Sequence, residues 1–215
     1  MTVTTTRDGH VAMVAFCRPP NNFADLELIE GIGAAFDAAD AERDVRAILL
    51  RSEGRVFCAG ADLANRNPVA AGGAGGERNP FYVAAAKLFG VRKPVVAAVQ
   101  GAAVGAGLGL ALVADFRVAT PQARFVANFV QLGFHPGFGI SAVLERVIGR
   151  QRALLMTLTG RRIGGEQAAA WGLADVLVGA DALYGAALAK TAGKIVLRLA
   201  NAEVAPMRFG DTAAT

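Results

Sequence analysis

Hydrophobic and polar residues alternate near the start of the chain, and the alternation then gives way to a helical period. Residues 2–6 and 10–16 alternate in polarity and predict a β-hairpin with its turn at Asp8-Gly9. From residue 26 to residue 39 the apolar residues recur at helical spacing, with acidic residues on the other face, which predicts an amphipathic helix. Residues 45–52 are apolar enough for a strand buried on both faces, as parallel strands are.

The segment from Pro94 to Asp115 carries no charge before its last residue, a length close to that of a membrane span. Its glycines and its central Gln100 argue against a transmembrane helix. The segment instead divides into a buried strand at 95–99, a glycine-rich turn at 100–107 and a short helix at 108–114. The succession of strands and helices predicts an α/β fold with right-handed crossovers between parallel strands.

The rest of the chain gives weaker patterns. Residues 64–80 are rich in glycine and predict a mobile surface loop. The other predicted elements are a helix after Pro80, a short strand at 116–120, an irregular aromatic segment at 124–139, a helical pair at 140–160 broken at Gly149, and a helix, a turn at Gly172 and a strand within 164–178. Residues 181–215 form a short tail, helical or partly disordered, in which Lys190, Lys194 and Arg198 share a helical face that meets either phosphates or solvent.

Composition narrows the possible functions. Of the 215 residues, 53% are hydrophobic and 19% are charged, which suits one well-packed domain, and the net charge of +4 is mild. Lysine and arginine are not interleaved with aromatic residues, so binding of nucleic acid is not expected. Cys17 and Cys58 lie in apolar surroundings and predict buried thiols in a reducing cytoplasm, and the N-terminus lacks the pattern of a secretory signal.

Two short stretches of small residues repeat one design, in which a buried strand leads into a turn with exposed backbone N–H groups. The first is Cys58-Ala59-Gly60-Ala61, and the second is Gly105-Ala106-Gly107 at the start of a helix. The first N–H groups of a helix are unpaired and carry the positive end of its dipole. Two such turns facing each other could stabilise an oxyanion, whereas the alternative is that small residues only permit close packing.

These motifs, taken in order, carry a resemblance to a known family. "FCAGADL", then "PVVAAVQGAAVGAGLGLALVADFRVAT", then "LGFHPGFG" and "AAAWGLADVLV" resemble the enoyl-CoA hydratase/isomerase (crotonase) family over residues 1–180. The resemblance implies a crotonase-like spiral of ββα units, a homotrimer or hexamer, and an acyl-CoA substrate. It also implies that the thioester oxygen lies between the N–H groups of Ala61 and Ala106, and that Ala59, Asp62 and Leu63 border the coenzyme A, with no metal or redox cofactor.

The chain departs from the family where hydratases carry two glutamates. The corresponding positions are Gly109 and Phe129, and neither side chain can transfer a proton. General acid–base catalysis contributes roughly 10²–10⁴-fold, so the departure favours isomerase or other enolate chemistry over hydration. His135 is the best remaining candidate for proton transfer, because histidine titrates near neutrality, and the alternative is a histidine that stabilises the Pro136-Gly137 turn.

Other interpretations have less support. "VGAGLG" departs from the glycine spacing of a dinucleotide-binding turn, and Ser52 and Ser141 do not lie in the motif of a serine hydrolase. Asp62 could be a catalytic acid or could cap the following turn. The phenylalanines at 125, 129, 134 and 138 suggest an apolar pocket. The main alternative to an enzyme is a crotonase-fold protein that binds acyl-CoA or a partner without catalysis.

Overall fold

The computed structural model describes residues 3–64 and 78–184, which form two sheets and the helices that pack on them. The strands in chain order are β1 (Val3–Asp8), β2 (Val11–Phe16), β3 (Ala47–Ser52), β4 (Val95–Val99), β5 (Ala102–Val104), β6 (Phe116–Ala119), β7 (Arg124–Val126), β8 (Arg162–Gly164) and β9 (Val176–Leu177). The α-helices are α1 (Leu26–Ala41), α2 (Pro80–Leu88), α3 (Ala106–Val113), α4 (Ile140–Ile148), α5 (Arg150–Thr159) and α6 (Gly165–Trp171). Short 3₁₀ helices cover Asn128–Leu132 and Ala180–Ala182.

The larger sheet has the strand order β1-β2-β3-β4-β6-β9. The hairpin β1–β2 is antiparallel, and every other neighbouring pair in this sheet is parallel. All residues of β4 are buried, because helices cover one face of the sheet and a second apolar cluster covers the other. The predicted parallel strands and the helices between them are therefore confirmed.

Local sequence determines where several helices begin. Asp25 caps α1 by accepting a hydrogen bond from the amide of Leu28 at 3.0 Å. Asn79 caps α2 in the same way, and Pro80 occupies the first helical position, where its missing N–H costs nothing. The helix α3 has neither kind of cap, since Gly105 precedes it without a side-chain hydrogen bond.

Some predicted boundaries were wrong. The hairpin turn lies at Gly9-His10, because Asp8 still pairs with Val11. The predicted turn at 100–107 contains β5, and α3 begins at Ala106 rather than at residue 108. The segment 124–139 was predicted to be irregular, but it contains β7 and a 3₁₀ helix. These strands have only three residues each, too few for a pattern of alternating polarity to show.

The smaller sheet, with the order β5-β7-β8, attaches the segment 55–58 to the start of α3. Cys58 donates its N–H to the carbonyl of Ala102 at 2.9 Å and accepts from Val104 at 3.0 Å. At the two ends of this contact the main chains approach very closely. A Cβ on Gly101 would lie 1.9 Å from the carbonyl oxygen of Arg55, and a Cβ on Gly107 would lie 2.1 Å from that of Cys58.

Two predicted segments lie partly outside the described residues. The glycine-rich loop at 64–80 includes residues 65–77, and the tail at 181–215 includes residues 185–215 with Lys190, Lys194 and Arg198. Within the described part of the chain, every helix is too short or too polar to cross a bilayer.

Substitution of Gly107 by alanine tests the close contact. We expect Gly107→Ala to lower the free energy of unfolding by about 3 kcal/mol or more, because a clash with a backbone carbonyl cannot be relieved by a side-chain rotation. Urea unfolding measures the change. The matched control is Gly179→Ala, at an exposed position where an added Cβ has no neighbour within 4 Å. Equal, small losses in both variants would contradict the importance of this contact.

Candidate functional site

A cavity of about 70 Å³ lies where the turn at residues 59–61 meets the start of α3. Ala61 and Ala106, which are far apart in sequence, both line it. The remaining lining residues are Ala59, Gly60, Leu63, Phe81, Tyr82, Gly105, Asn128, Phe129, Leu132, Phe134 and Phe138. The structure therefore brings together the two small-residue turns that the sequence analysis selected.

Hydrogen bonds on both sides of Ala61 hold the first turn in place. The amide of Ala59 donates to the carbonyl of Asn21 at 3.0 Å, and the amide of Asp62 donates to the carbonyl of Ala24 at 3.0 Å. The amide of Ala61, between these two anchored residues, has no acceptor among the residues that the structure describes. Its N–H is therefore not used by any hydrogen bond within the described residues.

The amide of Ala106 lacks an acceptor for a different reason. Ala106 is the first residue of α3, and the first intrahelical bond runs from the amide of Gly109 to the carbonyl of Gly105. The N–H of Ala106 lacks an acceptor in its own helix, as expected for this position, and none is recorded elsewhere in residues 3–64 and 78–184. The positive end of the helix dipole adds to the attraction for a negatively charged oxygen.

The first turn requires a residue without a side chain at position 60, where the chain has glycine. Its φ of +110° lies in a region that other residues rarely adopt. A Cβ at this position would also lie 3.1 Å from the carbonyl oxygen of Val104. The glycine thus permits both the turn conformation and its close approach to β5.

Aromatic side chains form much of the cavity wall. The prediction that phenylalanines build an apolar pocket is confirmed for Phe129, Phe134 and Phe138, whereas Phe125 is fully buried in the core. Phe138 contacts Phe81 edge to face, with ring centroids 5.8 Å apart. Its φ of +55° is unusual for a bulky residue, so the surrounding packing must hold this conformation.

Phe138 occupies the space beside Gly109 on α3. A Cβ on Gly109 would lie 2.6–2.7 Å from atoms of the Phe138 side chain, closer than real contacts allow. The helix surface at residue 109 is therefore covered by an aromatic ring, and a side chain of any size at this position would require Phe138 to move.

The other predicted site residues are distributed around this cavity. Ala59 and Leu63 line it, while Asp62 is not among its lining residues. The pKa of Arg18 is raised by its hydrogen bond to Asp25 and, more weakly, by the charges of nearby carboxylates that include Asp62. This placement fits neither a catalytic acid in the cavity nor a free carboxylate.

His135 is exposed and lies outside the cavity. It contributes to two surface depressions beside the cavity wall, one lined by Tyr82 and Arg146 and the other by Val130 and Glu145. The structure therefore does not bring His135 together with Ala61 and Ala106, and its catalytic role stays a prediction.

Two residues of the cavity have polar side chains, Tyr82 and Asn128, and neither was predicted from the sequence as a site residue. Tyr82 lies in a stretch that was predicted only to be a helix, and Asn128 lies in a segment that was predicted to be irregular. Burial raises the pKa of Tyr82 above its ordinary value of 10.0, so its phenol stays protonated at neutral pH.

Cys58 is not suited to nucleophilic catalysis. Burial raises the pKa of Cys58 to about 11, which keeps the thiol protonated at neutral pH. Cys58 is fully buried as predicted, whereas Cys17 is only partly buried, and both are free thiols. Among the described residues, no cluster of three or more His, Cys, Asp or Glu side chains could hold a metal ion.

Comparison with known proteins places this geometry in context. Residues 6–205 match the family model for enoyl-CoA hydratase/isomerase. A probable enoyl-CoA hydratase of Mycobacterium tuberculosis is 39% identical over 191 residues, which cover 86% of this chain and 72% of that protein. The 1,2-epoxyphenylacetyl-CoA isomerase of Escherichia coli is 39% identical over 160 residues, covering 71% of this chain and 60% of that protein.

Comparison of the fold with solved structures identifies the same family as the sequence does. The crystal structure of an enoyl-CoA hydratase subunit from Geobacillus kaustophilus superimposes with a TM-score of 0.80 at 31% identity, covering 93% of this chain and 76% of that one. The predicted crotonase-like fold class is thereby confirmed.

The contact between Gly109 and Phe138 can be tested by a double-mutant cycle. We expect Gly109→Ala to destabilise the protein by about 1–3 kcal/mol, because the added methyl group overlaps the ring of Phe138. In the Phe138→Ala background the same substitution should cost little, which gives a coupling energy of similar size. Urea unfolding of the four proteins measures the cycle, and additive effects would show that the ring does not cover residue 109.

Proposed function

The chain belongs to the enoyl-CoA hydratase/isomerase family, and from that premise we propose that it binds an acyl-CoA thioester and stabilises the enolate of that thioester. The N–H groups of Ala61 and Ala106 are the proposed donors to the thioester oxygen. The observation that carries the proposal is that both amides lack acceptors among the described residues while their residues line one cavity.

The proposed chemistry follows from where charge develops. Removal of a proton next to a thioester carbonyl moves negative charge onto the carbonyl oxygen. Two N–H donors fixed by main-chain contacts need no reorganisation when that charge appears, and one such donor contributes about 3–4 kcal/mol to stabilisation of a transition state. The apolar wall strengthens the effect, because electrostatic interactions are larger where water is excluded.

Isomerisation or another enolate reaction fits this cavity better than hydration does. By the family resemblance, Gly109 and Phe129 occupy the positions of the two glutamates that act on water. Phe138 covers Gly109, and Phe129 itself lines the cavity, so aromatic surface replaces both proposed acid–base positions. The relatives include proteins named as hydratases and as an isomerase. The aromatic surface at the two positions that act on water argues against the hydratase reaction for this chain.

A second candidate function is acyl-CoA binding without catalysis. It is favoured by one observation, which is that the described lining residues include no aspartate, glutamate or histidine. Under the first proposal, His135 remains the proposed proton-transfer group, although it is exposed beside the cavity rather than inside it.

The remaining expectations concern coenzyme A and assembly. We propose that Ala59, Asp62 and Leu63 border the coenzyme A, with Asp62 and Leu63 at its adenine end. Of the three, Ala59 and Leu63 line the cavity. Coenzyme A as part of the substrate is the only proposed cofactor. A homotrimer or hexamer in the cytoplasm remains the predicted form of the protein.

Removal of one donor tests the proposed function. Ala106→Pro deletes the N–H at the first position of α3, where a helix tolerates proline. We expect exchange of deuterium into the α-carbon of butyryl-CoA to slow by about 10²–10³-fold, because one oxyanion donor is lost. The matched control is Arg150→Pro, which places proline at the first position of α5 on an exposed residue outside the cavity. Equal rates in the two proline variants would contradict the role of Ala106.

The same assay separates the two candidate functions. Exchange by the wild-type protein that is lost in His135→Ala would support catalysis with His135 as the proton-transfer group. Exchange that persists in His135→Ala would exclude His135 and leave catalysis intact. Tight binding of butyryl-CoA with no exchange above the uncatalysed rate would support the non-catalytic function.

A further inference from the structure

The cavity contains two polar side chains in a wall that is otherwise made of apolar side chains and main chain. Tyr82 on α2 and Asn128 in the first 3₁₀ helix both line it and are both only partly exposed. Within the part of the chain that the structure describes, no donor or acceptor pairs with either side chain. Polar groups in such surroundings lose hydrogen bonds to water unless a ligand replaces them.

The side chain of Tyr82 is tightly packed against its neighbours. A Cβ on Gly137 would lie 2.6 Å from a ring carbon of Tyr82 and 2.8 Å from its Oη. A side chain at residue 137 would therefore overlap the ring, and only glycine fits beside it. Tyr82 also contacts Phe81 edge to face, with ring centroids 5.5 Å apart. These two neighbours restrict the position of the ring and of its hydroxyl group.

Asn128 lies next to one of the two available amides. A Cβ on Gly105, the residue before Ala106, would lie 3.1 Å from Oδ1 of Asn128. The polar side chain of Asn128 therefore lies beside the start of α3, where the proposed function places the thioester oxygen.

The protonation of Tyr82 determines what its hydroxyl can do. Because burial raises its pKa above 10.0, the phenol keeps its proton at neutral pH. A neutral phenol is a poor base but a good hydrogen-bond donor, so it suits an oxygen atom on a ligand rather than proton abstraction.

We propose that Tyr82, assisted by Asn128, binds an oxygen atom on the acyl group, so that the cavity selects hydroxyacyl or oxoacyl thioesters over acyl thioesters that lack this oxygen. The inference rests on the proposed function, since it needs the thioester to be bound at Ala61 and Ala106. It assigns Tyr82 as a specificity-determining residue, because a site that hydrogen-bonds a substrate oxygen disfavours the analogue without it.

Two ligands that differ by one hydroxyl group test the inference. Calorimetric titration compares 3-hydroxybutyryl-CoA with butyryl-CoA on the wild-type protein, on Tyr82→Phe and on Tyr184→Phe. We expect the wild type to bind the hydroxylated ligand about tenfold more tightly, and Tyr82→Phe to lose that preference by weakening only the hydroxylated ligand.

Tyr184→Phe is the matched control. Tyr184 is the other tyrosine of the chain, and its hydroxyl donates to the carbonyl of Ser52 at 3.2 Å, away from the cavity lining. This variant should keep the wild-type preference, and thermal unfolding should show that all three proteins are folded at the temperature of the titration.

The possible failures are distinguishable. Equal affinities of the wild type for the two ligands, or an equal loss for both ligands in Tyr82→Phe, would overturn the role of Tyr82 while leaving thioester binding intact. Absence of binding of either ligand to the folded wild-type protein would overturn the proposed function itself.

Discussion

The contact between two stretches of main chain, residues 55–58 and 101–107, is the constraint on which the candidate site depends. Gly101 and Gly107 stand at its ends, where even one methyl group would overlap a carbonyl oxygen, and the hydrogen bonds of Cys58 join the two stretches between them. This contact brings the turn at 59–61 to the start of α3. Without it, the two turns would not be held side by side, and Ala61 and Ala106 would not line one cavity.

The walls of the cavity then determine what those amides can do. Phe129, Phe134 and Phe138 supply apolar surface. Under the proposed function this surface strengthens the hydrogen bonds to the thioester oxygen, because electrostatic interactions are larger in apolar surroundings than in water. The same ring of Phe138 covers Gly109 and leaves no room there for a side chain that could activate water. An arrangement of this kind polarises a carbonyl more readily than it hydrates a double bond, which is why an enolate reaction is the favoured proposal within this family.

The sequence predicted the elements whose signal is local and failed where side chains meet across the fold. The apolar run at residues 95–99 predicted the bounds of β4 correctly. The small residues at 58–61 and 105–107 predicted the two turns that line the cavity. The strand β5 was missed because three residues cannot display a period. Tyr82 was missed for a different reason, since helical spacing shows which residues share a face but not which cavity that face meets. The exposure of His135 likewise depends on long-range packing that its turn motif does not contain.

A crystal structure of the complex with acetoacetyl-CoA tests the central claim most directly. The account predicts that the thioester oxygen lies within hydrogen-bond distance, roughly 2.7–3.2 Å, of the main-chain nitrogens of both Ala61 and Ala106. A thioester bound elsewhere, or an oxygen that meets only one of the two nitrogens while the other forms a bond within the protein, would contradict it.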